Sequence, residues 1–513
     1  MRRLLLFLTL LIATSATAAT DVVWQSSGGT LSGNWNDAAR WSGGSVPDTA
    51  AENAVINAGA TAPYVVALNG AMYPAGLDVN KVFVGSPNAT LTISGLALRT
   101  SEPGYGLRGY GNNARVQIDG GSVTTSGMQL SHGTTTQPVQ VTLTGVQLDA
   151  GTLWVSEGSR LVITGAGTGS VPGTSWILAS GQLDLSGGTI ALGDLKIGGS
   201  VWEQKTACRI KGAAVTAASV QMNLTGSALY TAPLLEVSSG SLTAGYAIIG
   251  AKNNNLASDA YLVRVNGGAL TFTGTVSLGA GDYARATLEI NGGSFRAQHL
   301  NVGSMDAQGR YLQNNGTSTI TGALTLYTQT YDINGTRQFV VGRGSTLRLT
   351  GSGFAKFGSS AWLPELLSTL DLSGVIAFEP AAGVAEQQLL AFSEDRGPAA
   401  SAAEGNYAVG ALDLTQLIAG GRRLRVAAAG NFSAAAVYVR SLRGFPAGTT
   451  ATTVANALAG TNIRIYYDPA NSPNLTGTYA FGTNSQLIPL NAPVLPTITL
   501  QSLGTAVHAA RIT

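Results

Sequence analysis

The chain reads as an all-β protein: a right-handed parallel β-solenoid (β-helix) with an N-terminal cap and a C-terminal β-rich domain. Three observations predict this. One block recurs, its recurrence is close to periodic, and charged side chains are scarce. The clearest block is LEINGGSFRAQHLNVG at 288–303, with related copies starting at Val116, Leu183 and Leu235. A looser copy starts at Val263 and a worn one near Tyr311. The starts at 235, 263, 288 and 311 are nearly evenly spaced, and the two wider gaps before them are near small multiples of that spacing. A fixed period of ~20–30 residues marks coils that bury their apolar side only by stacking on neighbours.

Within a copy, the first and third residues are apolar, so they share one face of a strand. The next apolar residues (Val123, Ile190, Leu242, Phe295) follow after an odd step, which a straight strand would turn outward. Between them sits an Asn/Asp/Ser-Gly-Gly type corner with Gly121, Gly188, Gly240 and Gly293 at equivalent positions. Glycine tolerates positive φ, so the chain bends there and resets its inward face. Asn-Gly is also a hairpin signal, but independent hairpins have no reason to keep one period. The stretch from Val82 to Thr350 is long enough for roughly eleven coils and a rod of order 50 Å.

Residues 1–18 have the form of a secretory signal: Arg2 and Arg3, an apolar stretch from Leu4 to Ile12, and Ala16-Thr17-Ala18 as a small-x-small cleavage site. That stretch is too short to span a bilayer, and no other run reaches the ~20 apolar residues a transmembrane helix needs. The mature chain is therefore expected to be exported, with no transmembrane segment. Without Arg2 and Arg3, the remaining basic residues equal the 27 acidic ones in number. This argues against nucleic-acid binding, which needs excess positive charge. Charged residues make up 11%, against about 25% in ordinary soluble domains. Cys208, alone, forms no internal disulfide and reads as a small buried apolar side chain.

Residues 19–79 differ from the repeats and hold Trp24, Trp35 and Trp41. A terminal coil must cover its exposed cross-section, so these rings are read as a cap; the alternative is a sugar-stacking platform. Residues 80–355 are assigned to the repeats and 356–513 to a β-rich cap or small domain. In the latter, 361–372 suggests a short helix and 385–392 another turn. From 408 onward LDLTQL, RRLRVAAAG, AAVYVRSL and NIRIYYD are strand-like. Arg422, Arg423 and Arg425 are read as a solvated strand edge rather than a basic spot.

The run GNWNDAARWSGGSVPD at 33–48, the Asn/Ser-Gly-Gly-Ser/Thr coils, and the closing stretches LDLTQLIAGGRRLRV and NIRIYYDP resemble bacterial exported β-helix repeat proteins of the autotransporter-associated β-strand or PEP-CTERM type. The resemblance implies a secreted or surface-associated β-helix and brings no catalytic residues. The final PTITLQSLGTAVHAARIT has neither the Pro-Glu-Pro anchor nor the terminal β-barrel of those proteins.

The search for chemistry finds no catalytic set. His132, His299 and His508 lack metal-ligand spacing, and His299 reads as a satisfied polar residue. No Gly-x-Ser-x-Gly elbow exists. Gly104, Gly106 and Gly109 match a dinucleotide glycine pattern without a βαβ context, and read as a loop. Asp259, Asp282 and Asp306 follow one another at about one coil each, and would form a vertical carboxylate row if coils stack. Ca²⁺ is the natural guest of such a row. The preferred reading has Arg264, Arg285 and Arg310 neutralise it at the surface. Two functions follow as expectations: an exported structural or adhesive rod, with extracellular polysaccharide or cell envelope as partner, or else a carbohydrate-active β-helix enzyme (polysaccharide lyase or glycosidase) or a polysaccharide-binding protein.

Overall fold

The computed structural model describes residues 18–134, 136–198, 206–222, 233–250, 261–280, 285–304, 308–327, 339–357, 370–404, 406, 408–429, 434–491, 498–502 and 508–512. Strand accounts for 58% and helix for 7%, and the strands stack as parallel coils in a β-solenoid of about 15 turns. From residue 64 to 391 each coil contributes a stretch of strand to each of three faces; beyond that, the described parallel strands continue on two of them. Face 1 begins with Thr20–Val23, Glu52–Ile56 and Lys81–Val84, which pair in parallel. Face 2 carries Tyr64–Asn69 and the start of Ala89–Thr100; face 3 carries Leu77–Val79 and the end of Ala89–Thr100.

The repeat seen in the sequence is one coil, whose apolar positions line face 2, then face 3, then face 1, as Val116, Val123 and Met128 do in turn. The first residue of every copy falls in one column: Leu91, Val116, Val141, Leu161, Leu183, Cys208, Leu235, Val263, Leu288, Tyr311 and Phe339 are successive register partners. All are buried. Within 82–350 these eleven rungs match the expected number, and the column continues to Val66 below and Leu370 above. Coils whose own first residues are Val141, Leu161 and Cys208 fill the wide gaps between the copies at 116, 183 and 235. Alternation then decides what faces out. In Tyr261–Val265, Tyr261, Val263 and Val265 are buried while Leu262 and Arg264 are not.

The glycine corners form one ridge. At Gly240, Gly268, Gly293 and Gly316 φ lies between 70° and 82°. A Cβ on Gly268 would lie 2.5 Å from the carbonyl oxygen of Gly240, one on Gly293 2.3 Å from that of Gly268, and one on Gly316 2.6 Å from that of Gly293. Only a residue without Cβ lets one corner sit this close on the next. Beside the ridge the corner amides stack. Asn291 Nδ2 donates to Asn266 Oδ1 at 3.0 Å, Asn314 Nδ2 to Asn291 Oδ1 at 2.7 Å, and Asn266 Nδ2 to Glu236 at 2.7 Å.

Cys208 occupies the buried column just described, and burial pushes its thiol up to about 12. Two consequences follow. Thiol reagents should label the folded chain only as fast as it opens. Above the ordinary thiol range the unfolded chain loses its proton while the folded one keeps it to about 12. The folded state then binds more protons than the unfolded one, so stability falls as pH rises through that window. Burial raises Tyr311 in the same column as well, so alkaline denaturation should begin as pH climbs past about 9.

Parallel stacking does not stop at 80 or 355, where the sequence period begins and fades. Below, it includes the strands at 20–23, 33–34 and 52–56. Above, it runs through Glu386–Ala391, Arg423–Ala428 and Leu458–Gly460 on face 1 and Val375–Phe378, Val409–Asp413 and Ala435–Arg443 on face 3. Ile463–Tyr467 and Ser485–Pro489 close the ladder. The turn expected at 385–392 is corrected to a strand: Gln387, Leu389, Leu390 and Ala391 bury their side chains and are bound in register to Arg423–Ala428. The helix expected at 361–372 lies mostly outside the described residues. Among the described residues, short α-helices occur at Thr415–Ala419 and Ala451–Ala457. A hairpin of Ile498–Ser502 and His508–Ile512 follows the coils.

The outer wall of face 2 carries a ladder of opposite charges. Asp184, Arg209, Glu236, Arg264 and Glu289 are successive register partners. Arg160 lies 2.6 Å from Asp184, Arg209 3.5 Å from Asp184 and 3.9 Å from Glu236, and Arg264 2.7 Å from Glu289. Replacing Arg209 by alanine leaves two carboxylates facing each other across an empty rung, one of them (Asp184) buried. A loss of about 1–3 kcal/mol in denaturant unfolding is expected. Removing Asp184 and Arg209 together should cost less than the sum of the two single changes, since the two share one ion pair.

Candidate functional site

The residues first considered for chemistry are dispersed. Asp259, Asp282 and Asp306 lie outside the described residues. Of the arginines set against them, Arg264 pairs with Glu289 one coil on, in the charge ladder, and Arg310 also faces Glu289. Among the described residues no group of three His, Cys, Asp or Glu side chains could hold a metal ion. His299 accepts a hydrogen bond from the backbone N–H of Ala323 at 3.0 Å, which makes it a satisfied polar group. Gly104 and Gly106 lie in the loop before the strand Leu107–Tyr110, which contains Gly109, and no helix follows. Arg422 donates to the carbonyls of Pro380, Ala381 and Val384, while Arg425 lies 3.6 Å from Glu386. Arg422 thus clamps a loop and Arg425 pairs across the sheet, and the strand edge expected of this run is corrected: Arg423–Ala428 is paired on both sides, with Glu386–Ala391 and with Leu458–Gly460.

Trp24, Trp35 and Trp41 are 1%, 1% and 2% exposed, which overturns the platform alternative for them. Trp41 meets Trp24 and Trp35 edge-on, each at 4.9 Å between centroids. Their N–H groups are consumed by Leu31, Pro47 and Trp35 carbonyls. They fill the core of the coil nearest residue 20.

The aromatic surface lies on the outer wall of face 1 instead. Phe83, Arg108, Gln129, Trp154, Trp176, Lys196 and Gln221 are successive register partners in one outward column. Trp154 and Trp176 are half-buried, with ring centroids 5.9 Å apart, and Lys196 Nζ lies 4.6 Å from the Trp176 centroid. Beside this column Tyr110, 39% exposed, stacks on His132 at 4.1 Å and lies 6.1 Å from Phe83. The charges beside the strip are matched. Lys81 and Arg108 share Glu102 at 3.3 and 3.0 Å, and His132 Nδ1 lies 2.9 Å from Glu157. Asp194 accepts from Ser219 Oγ at 2.7 Å.

These rings escape a reading that looks for aromatics close together in sequence. The signal was present in local context. Trp154 lies between buried Leu153 and Val155, and Trp176 between buried Ser175 and Ile177. Period-two alternation therefore turns both outward, and a separation of one coil makes them direct register partners.

Two clefts occur elsewhere, in the C-terminal coils. One of about 710 Å³ is lined by Glu386, Arg423, Thr450, Thr453 and Asn456, and one of about 480 Å³ by Glu379, Pro380, Gln416 and Arg422. Neither has an aromatic wall. Compared with family models, with curated proteins and with solved structures, the chain finds no match. Its functional reading rests on its own residues.

Proposed function

We propose that the chain is an exported bacterial rod that acts at the cell surface or beyond it as a structural or adhesive element. The observation that carries this reading is the aromatic strip on face 1, an extended surface held in fixed register over several coils. Small-molecule enzymes gather their groups in an enclosed cavity; this strip is spread along an open sheet. The basic, apolar and small-x-small order of residues 1–18 supports export. Among the described residues no helix is long and apolar enough to cross a membrane.

The carbohydrate-active enzyme is the second reading. It requires an acidic pair flanking the scissile bond, or a cation with a nearby base. The carboxylates nearest the strip are each engaged: Glu102 by Lys81 and Arg108, Glu157 by His132, Asp194 by Ser219. That engagement favours holding a polymer over cleaving it. Fractionation of cells expressing a C-terminally tagged chain tests the proposal. Recovery outside the cytoplasmic membrane, with the N-terminus beginning at Ala19, is expected. Recovery only in the cytoplasm with Met1 retained would dismiss it.

A further inference from the structure

We infer that the face 1 column from Phe83 to Lys196 is a docking strip for an extended, neutral polysaccharide lying along the rod axis. The inference rests on the adhesive reading above and names its ligand. Three features of the column point to this class.

The first is spacing. The column offers one side chain per coil, at steps of about 4.8 Å set by strand pairing. That step is comparable with one sugar residue of an extended chain, so successive sugars meet equivalent positions.

The second is surface chemistry. A sugar ring presents apolar C–H faces and a rim of hydroxyls. The half-buried indoles of Trp154 and Trp176 supply the apolar counterpart. Gln129, next in the column before Trp154, supplies an amide donor and acceptor. The indole N–H of Trp154 is spent on Ser156 Oγ at 3.0 Å. That of Trp176 has no acceptor among the described residues and is available to a hydroxyl.

The third is charge. Lys81, Arg108 and His132 have carboxylate partners. Lys196 rests on the Trp176 ring, with Asp194 two residues before it on the same outward wall. The strip holds no surplus of positive charge for a polyuronate or a nucleic acid to neutralise. A neutral polymer needs none.

The test is affinity electrophoresis and calorimetric titration of the purified full chain. The probes are a soluble β-glucan, a mannan and a chito-oligosaccharide, set against polygalacturonate, each at low and high salt. At least one neutral probe should bind, with affinity changed less than about twofold by salt. Trp154→Ala and Trp176→Ala should each weaken it about tenfold. Gln129→Ala, a change on the outer wall that leaves the core intact, should weaken it severalfold. The inference is overturned if polygalacturonate is preferred and released by salt. It is also overturned if a neutral glycan binds equally to wild type, to Gln129→Ala and to folded Trp154→Ala and Trp176→Ala. In that second case the adhesive reading stands and the contact lies elsewhere on the rod. Absence of binding to every probe sinks the strip, while cell fractionation continues to decide the adhesive reading separately.

Discussion

Gly293→Ala should be among the most destabilising single-methyl changes in this chain, at about 2–5 kcal/mol. Two costs add. The residue holds φ at 70°, a conformation that costs an L-residue about 1–2 kcal/mol. Its new Cβ would stand 2.3 Å from the carbonyl oxygen of Gly268 and 2.7 Å from the carbonyl carbon of Gly267. Backbone has no rotamer through which to yield, so the coils must separate locally, at a cost of about 1–3 kcal/mol. Gly421 provides the control. It has φ at 62° but nothing within 4 Å of its Cβ position. Gly421→Ala should therefore show the conformational cost alone. Urea unfolding of both variants separates the two contributions. Equal losses would mean that stacking at the ridge adds nothing. Because coils touch only their neighbours, hydrogen exchange in Gly293→Ala should rise first in the coils adjoining 293.

Trp41→Ala should cost about 3–5 kcal/mol, the range for deleting a buried large aromatic. The ring is 2% exposed, stands edge-on to two other indoles, and donates to Trp35 O at 2.5 Å. Removing it leaves a cavity and an unpaired carbonyl, and takes away two aromatic pairs of about 0.5–1.5 kcal/mol each. The damage should be confined to the first coils. A melting transition split into an early N-terminal step and an unchanged main step is expected by calorimetry. Glycan binding should be unchanged where those coils remain folded below the early step, because the ring lies inside the core. A large loss of binding in an otherwise folded Trp41→Ala would restore the platform role that its burial denies.

Much of the architecture was legible because stacking forces a repeat. Positions 116, 183, 235, 263, 288 and 311 fall in one column, as their apolar spacing required. The coils led by Val141, Leu161 and Cys208 were hidden for a local reason. Where the ridge passes them it is built from Val146 and Ala213 in place of glycine, and from Gly167 one position later than in the other copies; all three carbonyls lie under the next corner. The period fades after 355 for a different reason: the chain inserts longer excursions, as from Gly353 to its partner Gln388, while each strand still lands in register. Length between strands is free; register is not.

The sequence by itself determined which residues face inward. Burial of apolar side chains depends on alternation and on glycine at the corners, and both are local properties. What only the tertiary structure decided is which outward residues are neighbours. On a solenoid the nearest surface partner of a side chain lies one coil away, a full period along the chain. Arg264 therefore answers to Glu289, and Trp154 to Trp176. Clustering in sequence misled for the same reason: Trp24, Trp35 and Trp41 lie close along the chain and share one coil, whose interior is the space their rings fill.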